Sequence, residues 1–164
     1  MNAPRIIGFN ALLDTVTALL VSPFESDYSV LSLVFSASNW KLQRIHDSEA
    51  ARFLMSQETI PVVICNLRNG DWKALLEATA KLPHPPKLIV SSRLMDEHTW
   101  TEVLNLGGHD VLATPFDSRE VFRSVSMAWH AWQREPRSAT APHKASQTAG
   151  PVASSTRPHT SAQF

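Results

Sequence analysis

Short apolar runs alternate with stretches of helical spacing along most of the chain. Residues 18–21 (ALLV) form a four-residue apolar run, and the segment 26–38 that follows carries Tyr28, Leu31, Val34 and Phe35 at helical intervals. Residues 41–45 (KLQRI) alternate polar and apolar as a half-buried strand does, and Ser48 then stands as N-cap for a helix over 49–57. A second strongly apolar run, PVVIC at 61–65, leads through the turn signal Asn69-Gly70-Asp71 into a helical stretch at 73–82. Residues 87–90 (KLIV) repeat the buried-strand pattern. Asp96 opens a helix that the pair Gly107-Gly108 should end, because glycine takes the left-handed conformation a helix C-terminus uses. The last strand is DVLA at 110–113. Ser118 then caps a helix whose Val121, Val125, Trp129 and Trp132 share one face.

Five strand-then-helix units in a row predict an α/β domain. Strands that read as continuous apolar runs need cover on both faces, which a parallel sheet with crossover helices supplies. The expected architecture is (βα)5, a doubly wound five-stranded parallel sheet in the flavodoxin-like order 2-1-3-4-5. A functional site on such a sheet belongs at the carboxyl ends of strands one, three and four.

Composition narrows the picture. With 164 residues the chain suits one domain of ordinary size. The boundaries predicted are an N-terminal extension over 1–16, the domain over 17–135 and a tail over 136–164. The tail is rich in Ala, Ser, Thr and Pro and lacks apolar periodicity, so it is expected to be disordered. Its charges are Arg137, Lys144 and Arg157 with no acid. Over the whole chain Lys plus Arg equal Asp plus Glu at 15 each, which gives no global field toward nucleic acid or acidic lipid. The apolar stretch 6–21 hints at a secretory segment, but Asp14, Thr15 and Thr17 interrupt it and no small-x-small cleavage site follows. Nothing approaches the roughly 20 apolar residues of a membrane span. A cytoplasmic protein with no membrane or nucleic-acid partner is expected. The single cysteine, Cys65, fits a reducing compartment and lies in an apolar run, as a core residue would. His46, His84, His98, His109, His130, His143 and His159 show no metal-ligand spacing, so neither a metal nor another cofactor is expected.

The decapeptide GGHDVLATPF at 107–116, followed by Asp117 and a helix, resembles the end of a response-regulator receiver domain. The family pattern there is Gly-Ala-x-Asp-Tyr-Leu-x-Lys-Pro-Phe, joining a helix cap, a strand and a Pro-Phe turn in fixed register. The resemblance runs from about residue 17 to about 134. It implies the phosphorelay fold and, for a working member, a defined set of groups. Two acids after strand one and an acceptor aspartate after strand three hold magnesium through oxygen ligands. A lysine after strand five neutralises the phosphoryl oxygens, and a hydroxyl after strand four hydrogen-bonds them.

Carried onto this chain, the acid pair falls on Ser22 and Pro23, the acceptor on Asn66 and the lysine on Thr114. Ser91 matches the hydroxyl position, with Ser92 beside it, and the aromatic switch position falls on Val111. These positions are those of a degenerate phosphorylation site. Asp71, five residues beyond Asn66, is the candidate for a displaced phosphoacceptor, against its plainer use in the Asn-Gly-Asp turn. Ser91 and Ser92 read as relics, because no cation stands at an equivalent position to hold an anion.

The expected function is that of a phosphorylation-independent pseudo-receiver, not an enzyme, acting by contact with a protein partner in two-component signalling. A homodimer through the last helix and strand is one form of that contact. Trp100, Val111, Phe122 and Trp132 are its interface candidates, with the plainer reading that the tryptophans of the last helix cover the sheet. Two other readings stay open: a true phosphorelay receiver using a displaced carboxylate such as Asp71, and a small ligand-binding protein or enzyme on the same fold. Against the last, Ser22-Pro23-Phe24 stands where a Gly-rich phosphate loop would follow strand one.

Overall fold

A computed structural model describes residues 15–66, 72–94 and 96–137. Five strands alternate with five helices: β1 (Thr17–Val21), α1 (Glu25–Ala37), β2 (Lys41–Ile45), α2 (Ser48–Gln57), β3 (Val62–Asn66), α3 (Trp72–Ala80), β4 (Lys87–Ser92), α4 (Glu97–Asn105), β5 (Asp110–Ala113) and α5 (Ser118–Arg134). The strands form one sheet in the order β2-β1-β3-β4-β5, every pair parallel, as the alternation of runs and helices predicts.

The period-two geometry of strands divides the apolar runs between two layers. Ala18, Leu20, Val62, Ile64, Ile89 and Leu112 face α1 and α5, where Leu31, Phe35, Val121, Val125 and Trp129 meet them. Leu19, Val21, Val63, Cys65, Leu88, Val90 and Val111 face the other side, against Ala51, Met55, Trp72, Leu75 and Val103. The three central strands are thus buried on both faces, which is why their sequences do not alternate. β2 is an edge strand, and its Lys41, Gln43 and Arg44 make it the most polar of the five.

Helix ends show where sequence reading slips by one. Asp47, not Ser48, caps α2, its carboxylate accepting from the Ala50 amide at 2.8 Å. Asp117, not Ser118, caps α5, accepting from the amides of Arg119 and Glu120. Asp96 caps α4 as expected. Beyond α4, Gly107 takes φ +102, and a Cβ on Gly108 would lie 2.4 Å from Val103 Cγ1, so both glycines are required.

Two interface candidates lie away from the face expected of them. Phe122 stacks on Trp40 at 4.9 Å, ahead of β2, with Phe35 edge-on to the same indole. Trp132 stacks on His84, in the connection between α3 and β4, at 3.9 Å. Trp100 is exposed on α4, whereas Val111 is buried in the core. The four therefore form no single surface. Asp71, residues 1–14 and residues 138–164 lie outside the described residues.

Candidate functional site

The carboxyl ends of β1, β3, β4 and β5 gather Ser22, Asn66, Ser91 and Thr114 into one place, because a parallel sheet brings all its strand ends to the same edge. Ser22 follows β1 and is fully buried, its amide donating to the Ile45 carbonyl at 3.0 Å. Asn66 ends β3 in register with Ser91 of β4. Thr114 follows β5, joined to Pro115 by a cis peptide bond, and its amide donates to the Ser92 carbonyl at 2.9 Å.

A carboxylate occupies this place, from a position the resemblance does not name. Asp27, in the first turn of α1, is 8% exposed. Its Oδ2 accepts the Ser22 hydroxyl at 2.7 Å and the Asn66 amide nitrogen at 2.8 Å. The Ser22 and Asn66 side chains are thus both committed to one internal oxygen. Burial of a carboxylate is costly unless donors satisfy it. Here two neutral donors do so, aided by the positive end of α1. Among the described residues Asp27 has no ion pair with any cation.

Arg44 fixes the loop between β1 and α1 from the side. Its guanidinium donates to the carbonyls of Ser22 and Pro23 at 3.5 and 3.3 Å, pairs with the Glu25 carboxylate and lies over the Tyr28 ring at 5.7 Å. Pro23 is exposed, and its side chain offers no ligand atom. The serines after β4 are turned toward backbone. Ser91 is fully buried with its hydroxyl toward the Cys65 carbonyl at 3.4 Å, and the Ser92 hydroxyl closes a local turn with Leu94 at 3.0 and 3.2 Å.

A cleft of about 330 Å³ opens above Asp27, lined also by Ser26, Val30, Arg93, Thr114, Pro115 and Phe116. The Thr114 hydroxyl is buried beside it with no hydrogen-bond partner. Among the described residues no group of three or more His, Cys, Asp or Glu side chains is placed to hold a metal ion. None of the described helices is long and apolar enough to cross a membrane.

Sequence reasoning located Ser22, Pro23, Asn66, Ser91 and Thr114, and the structure brings them to one edge of the sheet. It did not single out Asp27. An acid in the first turn of a helix is ordinary, and its burial depends on Asn66, 39 positions away in the chain.

The fold is shared with solved receiver domains. A response regulator from Thermotoga maritima superposes with a TM-score of 0.65 at 16% identity, covering 71% of this chain and 99% of that one. The receiver domain of the Francisella response regulator 1452 gives 0.64 at 19%, covering 71% and 98%. The signal receiver domain of an HD domain-containing protein from Pseudomonas fluorescens Pf-5 gives 0.64 at 20%, covering 73% and 90%. Among curated proteins, the regulatory protein VirG of Rhizobium rhizogenes is 28% identical over 91 residues, 54% of this chain. VirG of Agrobacterium fabrum matches at the same identity over the same length. The chain spans 38% and 36% of the lengths of these two relatives. No family model matches the chain. The fold is that of the response-regulator receivers of two-component systems.

Proposed function

We propose that this chain is a signalling module with the receiver fold that takes no phosphoryl group and works by protein–protein contact. The supporting observation is the carboxylate of Asp27 at the strand ends. The side chains at the acid and acceptor positions, Ser22 and Asn66, both donate to it. An amide in place of the acceptor carboxylate supplies no anionic nucleophile. Ser22 and Pro23 supply no carboxylate for magnesium, and Thr114 supplies no cation for a transferring phosphate.

Contact is favoured over catalysis by what the helices display. Trp100 and Leu106 of the α4 side are 46% and 51% exposed, and Met127 of α5 is 54% exposed. Exposed Trp and Met are enriched at binding surfaces. The partner is a signalling protein or a second copy of the chain.

Treatment of the full chain with acetyl phosphate and magnesium, read by intact mass, tests the reading. No gain is expected. A magnesium-dependent gain of one phosphoryl group would overturn it, and loss of that gain in Asp71→Asn would identify the displaced acceptor.

A further inference from the structure

From the cleft above Asp27 we infer a binding site for a lysine side chain contributed by the protein partner, an inference that rests on the contact reading above. Three features of the cleft select that chemistry. Its floor holds a carboxylate that is 8% exposed and accepts two neutral hydrogen bonds, yet among the described residues it has no ion pair. A buried charge of this kind is best offset by an opposite charge with good geometry. Its wall carries the Thr114 hydroxyl, buried and without a partner, an acceptor for one ammonium proton while the carboxylate takes another. Its sides are Val30, Pro115 and Phe116, apolar surface of the sort that the methylene stem of lysine covers.

The rim extends this preference outward. Val30 continues along α1 to Leu33, which is 73% exposed, and Leu94 beside Arg93 is 78% exposed. A lysine flanked by apolar residues fits both the floor and the rim. The cleft's own cation, Arg93, is exposed at the lip and pairs with no acid among the described residues. An anionic ligand, by contrast, would meet the Asp27 carboxylate at the floor.

The probe is the acetylated, amidated tripeptide leucyl-lysyl-leucine, titrated into the ¹⁵N-labelled full chain at low salt and followed by amide shifts. Saturable shifts are expected at the amides of Asp27, Val30, Thr114 and Phe116. Binding should be at least about tenfold tighter than that of the norleucine analogue, the factor that one well-placed charge contributes. Asp27→Asn keeps an acceptor for Ser22 and Asn66 and removes the charge, and should weaken the probe by a similar factor. Thr114→Lys places an ammonium in the cleft from within and should exclude the probe. Equal binding of the norleucine analogue, or binding unchanged in Asp27→Asn, would overturn the proposal. So would binding seen only in Arg93→Gln, which would mean that Arg93 fills the cleft itself. Acetyl phosphate treatment of the same samples keeps the two readings apart. A phosphoryl gain with probe binding intact refutes phosphorylation independence and supports the lysine site. No gain and no probe binding refutes the lysine site alone.

Discussion

Asp27 and Asp110 stand near the beginnings of their elements, and each accepts a serine hydroxyl at 2.7 Å, from Ser22 and Ser124 respectively. They differ in what else they hold. Asp110 also accepts the Val111 amide at 2.8 Å and pairs with the Arg123 guanidinium at 3.6 Å, at the edge of the sheet. Asp27 has the Asn66 amide in place of a cation, and it is the more buried of the two. One carboxylate is neutralised within the fold and ties α5 to β5. The other lines a pocket and, among the described residues, pairs with no cation. A buried acid is therefore not read by its hydrogen bonds alone: the presence or absence of a cation separates a structural tie from a site.

The comparison is tested hardest by removing the acceptor at each place. Asp27→Ala removes the acceptor of the Ser22 hydroxyl and one acceptor of the Asn66 amide in a buried pocket, where losing a hydrogen-bond partner costs about 1–3 kcal/mol. A loss of roughly 2–4 kcal/mol in denaturant unfolding is expected, and a change under about 0.5 kcal/mol would show that the pocket relaxes. Asp110→Ala strands one buried hydroxyl, that of Ser124, and should cost about 1–2 kcal/mol by the same measurement. The conservative changes sharpen the contrast. Asp27→Asn should leave stability within about 0.5 kcal/mol, because no ion pair is lost. Asp110→Asn should lose up to about 1 kcal/mol with its partly exposed pair, a loss that salt reduces. If Asp27→Asn proves the more damaging of the two, the distinction fails.

The smallest effect is one of pH near β5. Burial pushes His109 below its ordinary value of 6.5, against the opposing pull of the neighbouring Asp110 charge; Lys87 adds to the downward shift and Glu135 resists it. A histidine depressed in the folded state takes up its proton more readily when unfolded. Its contribution to stability is therefore present above about pH 6.5 and declines as pH falls from there through the folded value. Thermal melts should show a shallower decline on acidification in His109→Gln than in the parent. An unchanged slope would assign the acid sensitivity elsewhere.

The fold was legible because its signals are local. Buried parallel strands must be apolar runs, the left-handed end of α4 calls for a glycine, and both leave marks over a few positions. The caps were misplaced by one residue because Asp47 and Ser48, like Asp117 and Ser118, are neighbours of equal capping ability. The path of the chain out of the preceding segment decides between them. That Ser22, Asn66 and Thr114 share one edge of the sheet was legible through the register of the Pro-Phe turn and the strand order. Asp27 was not, since nothing in a helix's first turn tells whether the sheet's third strand ends with a donor beside it. The surroundings of Trp132 were hidden for a related reason. It shares a helical stripe with Trp129, but its neighbour is His84 of a connecting segment, and periodicity within α5 carries no information about that segment.

Arg44 gives the sheet's outer edge a hold on the pocket. The side chain starts from β2, the strand with one side unpaired, and ends on the two carbonyls of the segment that leads to Asp27. A peptide that extended the sheet by pairing along β2 would draw on the same strand that anchors this guanidinium. Displacement at that margin would reach the loop 22–25 through one hydrogen bond each to Ser22 and Pro23 and an ion pair with Glu25, with no change of charge inside the cleft. Strand addition along β2 would thus act on the loop beside the cleft by displacement alone.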